Sequence, residues 1–317
     1  MKTPFFAVVA IVLMSVAAGF VDLRTRPYPT RSYEEFIPRV FDGTADAPER
    51  YRVLVPFAVV GLGRVTGLTP AYAWHLSLLV LFLAAYFVFF HYLRTWFSPV
   101  LSLLGTALVA ATFPLTFTNS WAHPDHVAVL LLFTACAWAI ARGQTVATFI
   151  LLALATLNRE TAAFLVLLYL FAGAFTRTRL AVTALLGVEW AAVYVGLRLW
   201  RGFAPYEYWQ AGRNLEFLRL MGPNYDPYYR AFAYFAIVLF GGLVAIALVG
   251  AREPRPLFAT GALWVVPLFV VVAFTMSSIV EARIFTPLYT LVVPAVMFTC
   301  AAAEISYKSA SLDESDV

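Results

Sequence analysis

The chain has 317 residues, of which 62% are hydrophobic and 13% are charged, and its mean hydropathy is +0.80. Soluble domains are about 45–50% apolar and about 25% charged, so this composition excludes an ordinary soluble protein and indicates an integral membrane protein. The net charge of +4 is small, and no basic–aromatic repeat occurs, so no nucleic-acid partner is expected. The two cysteines, Cys136 and Cys300, lie inside apolar runs, which argues against a disulfide framework.

Long apolar runs separated by short polar segments predict membrane-spanning α-helices, because a barrel would alternate with period two. We predict about ten spans, at residues 4–21, 71–92, 98–117, 124–141, 145–158, 161–176, 179–199, 231–250, 256–276 and 284–303. Residues 1–21 could instead be a signal peptide, but their apolar stretch is long for one. The predicted fold is therefore all-α, a polytopic transmembrane helix bundle. It forms one domain over 1–303, followed by a disordered cytoplasmic tail over 304–317.

The loops on the two sides of the predicted bundle differ in their acidic content. One side carries short basic loops, in which Glu253 is the single acid. The basic residues of these loops are Lys2, Arg94, Arg142, Arg177, Arg179, Arg252 and Arg255. The other side carries 12 of the 18 acidic residues, namely Asp22, Glu34, Glu35, Asp42, Asp46, Glu49, Asp125, Glu160, Glu207, Glu216, Asp226 and Glu281. Because basic loops favour the cytoplasmic side, we expect a multi-pass protein of the plasma (inner) membrane with both termini in the cytoplasm.

This orientation requires that residues 51–69 lie along the membrane surface, since a span there would invert every later loop. Region 22–69 then forms the first large outer loop, and region 200–230 the second. Within the first loop, apolar residues at helical spacing predict an amphipathic helix: Tyr33, Phe36, Ile37, Val40 and Phe41. Asp42 and Gly43 are expected to end it, so the first outer loop holds two interfacial helices.

Several ionisable residues interrupt or adjoin the apolar runs. Arg159 and Glu160 break an apolar stretch, where charges are costly and usually functional, although they could also form a mutually paired turn. Glu189 falls in the middle of a predicted helix and needs a polar partner or a proton.

His123, Asp125 and His126 place three ionisable groups within four residues at the start of an apolar run. This concentration favours a functional site, although Asp125 could also cap the helix. The same residues could contribute ligands to a divalent metal ion, and no further metal ligands are evident.

The order of these features resembles the C fold class of polytopic membrane glycosyltransferases. Residues 33–43 followed by 50–67 are similar to the family's two helices parallel to the membrane. Residues 121–126, Trp-Ala-His-Pro-Asp-His, resemble the acidic segment that opens its fourth helix. Residues 157–161, Leu-Asn-Arg-Glu-Thr, resemble its turn near the carrier phosphate, and residues 283–288 resemble the start of a late helix.

The resemblance implies an inverting glycosyltransferase. Its partners would be a polyprenyl-phosphate-linked sugar and membrane lipids, and it would transfer the sugar to a lipid, glycan or protein acceptor at the outer membrane face. Such a reaction needs a carboxylate base and cations for the departing phosphate. The catalytic candidates are Asp22, Glu34 and Asp125. The substrate-binding candidates are Arg52, His123, His126, Arg159, Glu160 and Arg283, with Arg159 as the cation beside the carrier phosphate.

One segment departs from the family pattern. The family usually carries an acidic pair before the first parallel helix, where this chain has Pro-Thr-Arg-Ser at 29–32. The catalytic acid is then Asp22, Glu34 or Glu35, or it is absent.

Two other functions fit the same residues. A transporter or flippase of a lipid-linked or anionic substrate would use Arg159 and Glu160 equally well, although no internal repeat is present. A catalytically silent member of the fold would lack the acid altogether. At the level of single residues, Arg283 could simply pair with Glu281, and Arg52 could anchor an interfacial helix.

Overall fold

A computed structural model of the chain describes residues 4–25, 32–117, 125–205, 209–220, 227–250, 255–279 and 281–313. Within these ranges the regular elements are all helical, which confirms the all-α class. The α-helices are α1 Phe5–Thr25, α2 Ile37–Asp42, α3 Leu54–Thr66, α4 Pro70–Leu93, α5 Pro99–Thr112, α6 His126–Ala141, α7 Thr145–Asn158, α8 Ala163–Phe171, α9 Arg177–Arg201, α10 Ala211–Leu220, α11 Pro227–Val249, α12 Leu257–Met276 and α13 Thr286–Asp313. A π-helix covers Ser32–Phe36, and short 3-10 helices cover Glu49–Tyr51, Phe113–Thr116, Glu160–Ala162 and Ala282–Phe285.

Each of the ten predicted spans overlaps a helix in the described residues. Six helical segments in the described residues are long and apolar enough to cross a membrane: Phe5–Arg24, Pro70–Leu93, Pro99–Thr116, Arg177–Arg201, Leu257–Met276 and Ala282–Ala301. The other predicted spans fall on shorter apolar helices, among them α6 and α7. The prediction of a membrane protein with several spanning helices is thus supported, and the count of ten stays a prediction.

Helix ends follow local sequence signals. The Thr69 hydroxyl accepts a hydrogen bond from the Tyr72 amide, so that it caps α4 at a threonine–proline pair. Ser98 caps α5 in the same way, again just before a proline. Gly67 closes α3 with φ of 71°, a left-handed conformation that residues with a Cβ rarely adopt.

The predicted amphipathic helix in 22–69 is present as a π-helix, Ser32–Phe36, that runs directly into α2. Ile37 and Val40 are buried, as the spacing predicts, and Gly43 ends α2 in the left-handed region with φ of 75°. The second helix of this loop is α3, which packs along α4.

The core forms around α4, α6 and α13. Helix α6 packs against both of the others, and 12 of its 16 residues are buried. A helix that is apolar on every side is suited to such an internal position. Because α6 is internal, the residues at its N-terminal end are enclosed by neighbouring elements, and this end holds the charged cluster described below.

Helix α13 continues through Asp313 and so extends into 304–317, the segment that the sequence predicts to be a disordered tail. Residues 295–313 contain no proline or glycine, so nothing in the local sequence interrupts the helix there.

Candidate functional site

Three buried arginines meet at one end of the bundle. Arg52 precedes α3, Arg159 lies between α7 and the 3-10 helix Glu160–Ala162, and Arg283 lies in the 3-10 helix before α13. Their exposed fractions are 6%, 6% and 3%. Asp125, at the start of α6, is 1% exposed and interacts electrostatically with all three. We call Arg52, Arg159 and Arg283 the arginine cluster.

Each arginine of the cluster has a carboxylate neighbour. Arg52 Nη2 lies 2.8 Å from Glu160 Oε1, and Arg52 Nη1 lies 3.9 Å from Glu49 Oε1. Arg159 Nε lies 3.7 Å from Asp125 Oδ2, which is an ion pair without a hydrogen bond. Long-range packing therefore brings together most of the predicted substrate-binding residues.

Arg283 pairs with Glu281, as one of the two alternatives predicted. The Glu281 side chain is 27% exposed and that of Arg283 is 4% exposed. Arg283 Nε and Nη1 are buried and have no hydrogen-bond partner among the described residues. Pairing with Glu281 therefore leaves part of this guanidinium able to donate to another group.

The ionisation of Asp125 is set by its cationic neighbours. Burial by itself would raise the pKa of this carboxyl, but Arg159, Arg52, Arg283 and His126 together hold the pKa below its usual value. Its side chain makes no capping hydrogen bond at the start of α6. Asp125 is thus a buried, ionised carboxylate.

The pKa values of Arg52 and Arg159 are shifted in opposite directions. Burial and repulsion by Arg52 lower the pKa of Arg159 to about 10, and attraction by Asp125 only partly opposes them. Burial also disfavours charged Arg52, but Glu160, Asp125 and Glu49 together raise its pKa above the usual value. Both arginines remain charged at neutral pH, and Arg159 has the less favourable electrostatic environment.

A cavity of about 40 Å³ opens beside the cluster. Its polar wall is formed by Arg52, Arg159, Glu160, Thr161 and Ser277, and apolar side chains from α8, from α12 and from the 3-10 helix before α13 form the rest. The Nε and Nη1 atoms of Arg52 and the Oγ1 atom of Thr161 are buried without a hydrogen-bond partner in the described ranges. Unused buried donors next to charged groups are what an anion-binding site requires.

Asp22 and His126 form a second buried pair next to the cluster. Asp22 Oδ1 lies 3.9 Å from His126 Nε2, and both side chains are fully buried. The His126 ring stacks on Phe113 at a centroid distance of 5.8 Å. The end of α1 is thereby brought to the start of α6, one residue from Asp125.

An apolar groove of about 440 Å³ has Leu54, two residues after Arg52, among its lining residues. It lies between α3, α4 and α6, from Leu54 and Val55 at its α3 end to Ala128, Leu131 and Leu132 on α6. The sequence reasoning missed this groove, because it depends on how three helices pack.

Glu34, a predicted catalytic residue, is not among the buried residues of this assembly. Glu34 is exposed in the π-helix Ser32–Phe36, and Glu35 beside it is exposed as well. His123 lies outside the described residues. Within those residues, no group of three or more His, Cys, Asp or Glu side chains is arranged to hold a metal ion, so the divalent metal ion stays a prediction.

Three contributors were not predicted as site residues. Glu49 and Thr161 adjoin Arg52 and the cavity, and Asn158 Nδ2 donates to the backbone oxygen of Asp125 at 3.3 Å. Asn158 and Thr161 belong to the segment 157–161 that the resemblance singled out, and Glu49 stands three residues before Arg52. Glu189, in α9, is half-buried, and its Oε2 has no hydrogen-bond partner within the described part of the chain.

Comparison with protein-family models, with curated proteins and with solved structures found no match to this chain.

Proposed function

We propose that the protein is an inverting glycosyltransferase that takes a sugar from a polyprenyl-phosphate carrier and transfers it to a lipid, glycan or protein acceptor. The observation that carries this proposal is the arginine cluster, buried beside two buried carboxylates, with an apolar groove lined from Leu54 onward in the adjoining helix α3. Planar guanidinium groups suit phosphate oxygens, which they can bind through two parallel hydrogen bonds.

The groove supports a lipid-linked substrate rather than a free anion. It starts at Leu54, two residues after Arg52, and runs along α6 away from Asp125. Its wall is apolar except for Ser77. A hydrocarbon chain in this groove would bring its phosphate to Arg52 and Arg159, and burial of apolar surface would hold the chain.

The proposal includes an orientation. About ten spans and cytoplasmic termini would put the ends of α1 and α7 and the start of α6 at the outer face of the plasma membrane. Helices α2 and α3 would then lie along that surface. The support is the charge distribution, since the short loops and N-terminal segment at the opposite end carry seven basic residues and a single acid, Glu253.

The reaction would proceed by displacement at the sugar's anomeric carbon. The acceptor oxygen forms a bond to this carbon, the bond from the carbon to the phosphate oxygen breaks, and the acceptor proton passes to a carboxylate. Arg52, Arg159 and Arg283 would stabilise the charge that develops on the departing phosphate. This leaves Asp22 and Asp125 as candidates for the base.

Through the ion pair between Arg159 and Asp125, binding of the carrier phosphate would change the basicity of the carboxylate that accepts the proton. A carboxylate with a lowered pKa is a weak base. A phosphate bound to Arg159 would offset the positive charge of this residue. The attraction between Arg159 and Asp125 lowers the pKa of Asp125, so weakening it would make Asp125 more basic. Binding of the carrier would thus prepare Asp125 to accept the acceptor's proton.

The test is transfer by the purified protein in lipid nanodiscs, supplied with radiolabelled polyprenyl-phosphate sugars and a lipid extract as acceptor. We expect label to move to an acceptor and free polyprenyl phosphate to accumulate. In parallel, the protein in liposomes is assayed for movement of a fluorescent lipid-linked phosphate between leaflets. If the lipid-linked phosphate moves between leaflets but no donor gives sugar transfer, the protein is a flippase and not a glycosyltransferase.

A further inference from the structure

The charges that line the cavity are unequal. Arg52 and Arg159 contribute two positive charges and Glu160 one negative charge, so the lining carries one net positive charge. Such a lining balances one negative charge on a ligand, whereas a second negative charge would remain unbalanced. The number of charges on the ligand is therefore a property that this cavity can distinguish.

Glu160 is placed to act on any anion that enters. Its Oε1 atom lies 2.8 Å from Nη2 of Arg52, whose Nε and Nη1 atoms make no hydrogen bond in the described ranges. Its side chain is 30% exposed, against 7% for that of Arg52, so the cation is enclosed while the carboxylate lies at the rim. Trp190 Nε1 donates to the Glu160 backbone oxygen at 3.1 Å and holds the residue in position.

Other charged groups surround this pair. They come from the segment before α3, from the start of α6, from the end of α7 and from the 3-10 helix before α13: Glu49, Asp125, His126, Arg159, Glu281 and Arg283. Of the acids in this group, none lines the cavity. Glu160 is therefore the carboxylate closest to a ligand there.

We propose that Glu160 sets the charge specificity of the site, so that it accepts a singly charged phosphodiester and disfavours a doubly charged phosphate monoester. This inference rests on the proposed function. A sugar linked to polyprenyl phosphate is a diester with one negative charge, whereas the polyprenyl phosphate left after transfer is a monoester that gains a second charge. Repulsion by Glu160 would therefore promote release of the product.

The test compares two soluble probes, geranyl phosphate and its methyl diester, binding to the purified protein in neutral detergent. The second ionisation of a phosphate monoester lies near pH 6, so titrations run at about pH 8 and about pH 5.5. We expect the wild type to prefer the diester at the higher pH and to lose most of this preference at the lower pH. The diester keeps one charge throughout, so it reports any titration of His126 or of the carboxylates.

Glu160→Gln keeps the shape of the side chain and removes its charge. We expect it to bind the monoester at least about tenfold more tightly at the higher pH, because like charges in a partly buried site interact strongly. Its affinity for the diester should change less, so the preference disappears. Glu160→Asp keeps the charge and should keep the preference for the diester. It serves as the control for a structural disturbance caused by changing this side chain. Glu281→Gln removes a carboxylate that does not line the cavity and should leave the preference intact.

Equal changes for both probes in Glu160→Gln would mean that Glu160 is only structural, and the inference would be wrong while the lipid-phosphate site stood. A wild type that binds both probes equally at both pH values would also overturn the inference and leave that site standing. Binding of neither probe by the folded wild type would remove the inference and the proposed function together.

Discussion

Replacing Arg159 by alanine is the most direct perturbation of the proposed phosphate site. The residue lines the cavity, is 6% exposed and lies 3.7 Å from Asp125. Its removal takes away one cation that would contact the phosphate, and it also leaves Asp125 with fewer positive neighbours. The two effects act on different quantities, which are substrate affinity and folding stability.

The loss of affinity can be estimated from the contact. A hydrogen bond to a charged group contributes about 1.5–3 kcal/mol, which corresponds to a dissociation constant raised about 10- to 150-fold. Arg159→Lys keeps a point charge but loses the planar pair of donors, so we expect an intermediate loss.

The loss of stability comes from Asp125. Removing one partner of a buried ion pair costs about 3–5 kcal/mol, because the other charge stays buried. The double variant Arg159→Ala with Asp125→Asn removes both charges and should recover much of that stability. It should not recover phosphate affinity, and this difference separates binding from folding.

The assay is titration of purified protein with geranyl phosphate, together with thermal unfolding in the same detergent. Each variant is first shown to be folded by its elution volume and its helical circular dichroism. An unchanged dissociation constant for folded Arg159→Ala would exclude this residue from the phosphate site and would refute the assignment of the cavity.

Three further predictions concern catalysis, acid stability and orientation. Asp125→Asn should lower sugar transfer about 10²- to 10⁴-fold in the nanodisc assay without loss of expression, as should Asp22→Asn, whereas exposed Glu34→Gln should stay near wild type; near-normal transfer by Asp125→Asn would contradict the acid assignment. Because the pKa of Asp125 is lowered by folding, its contribution to stability is present above its unfolded pKa and is lost as the pH falls through its folded pKa. Unfolding on acidification should therefore be less steep for Asp125→Asn than for wild type, measured by circular dichroism, and identical acid profiles would show that Asp125 is not held ionised. In a cysteine-free background, Asp42→Cys should react with an impermeant thiol reagent on intact cells and Gln144→Cys should react only after lysis; the reverse pattern would invert the proposed orientation.

The sequence by itself determined the class of the protein and the local form of many elements. Apolar content and charge are properties of single segments, so they identify membrane helices without knowledge of packing. The same holds for the helix ended by Gly43, whose two buried residues follow from helical spacing. Asp125 and Arg159 could also be identified as candidate site residues, because a charged residue beside an apolar run is evident from the sequence alone.

Tertiary structure alone decided which of these residues meet. Arg52 pairs with Glu160, 108 residues along the chain, and Asp22 at the end of α1 reaches His126 at the start of α6. Glu34, another candidate for the acid in the sequence, is exposed instead. Helical periodicity tells which face of its own helix a residue occupies, but not which neighbour that face packs against. The cavity and the groove are spaces between several elements, so their existence depends on helix packing that no single segment encodes.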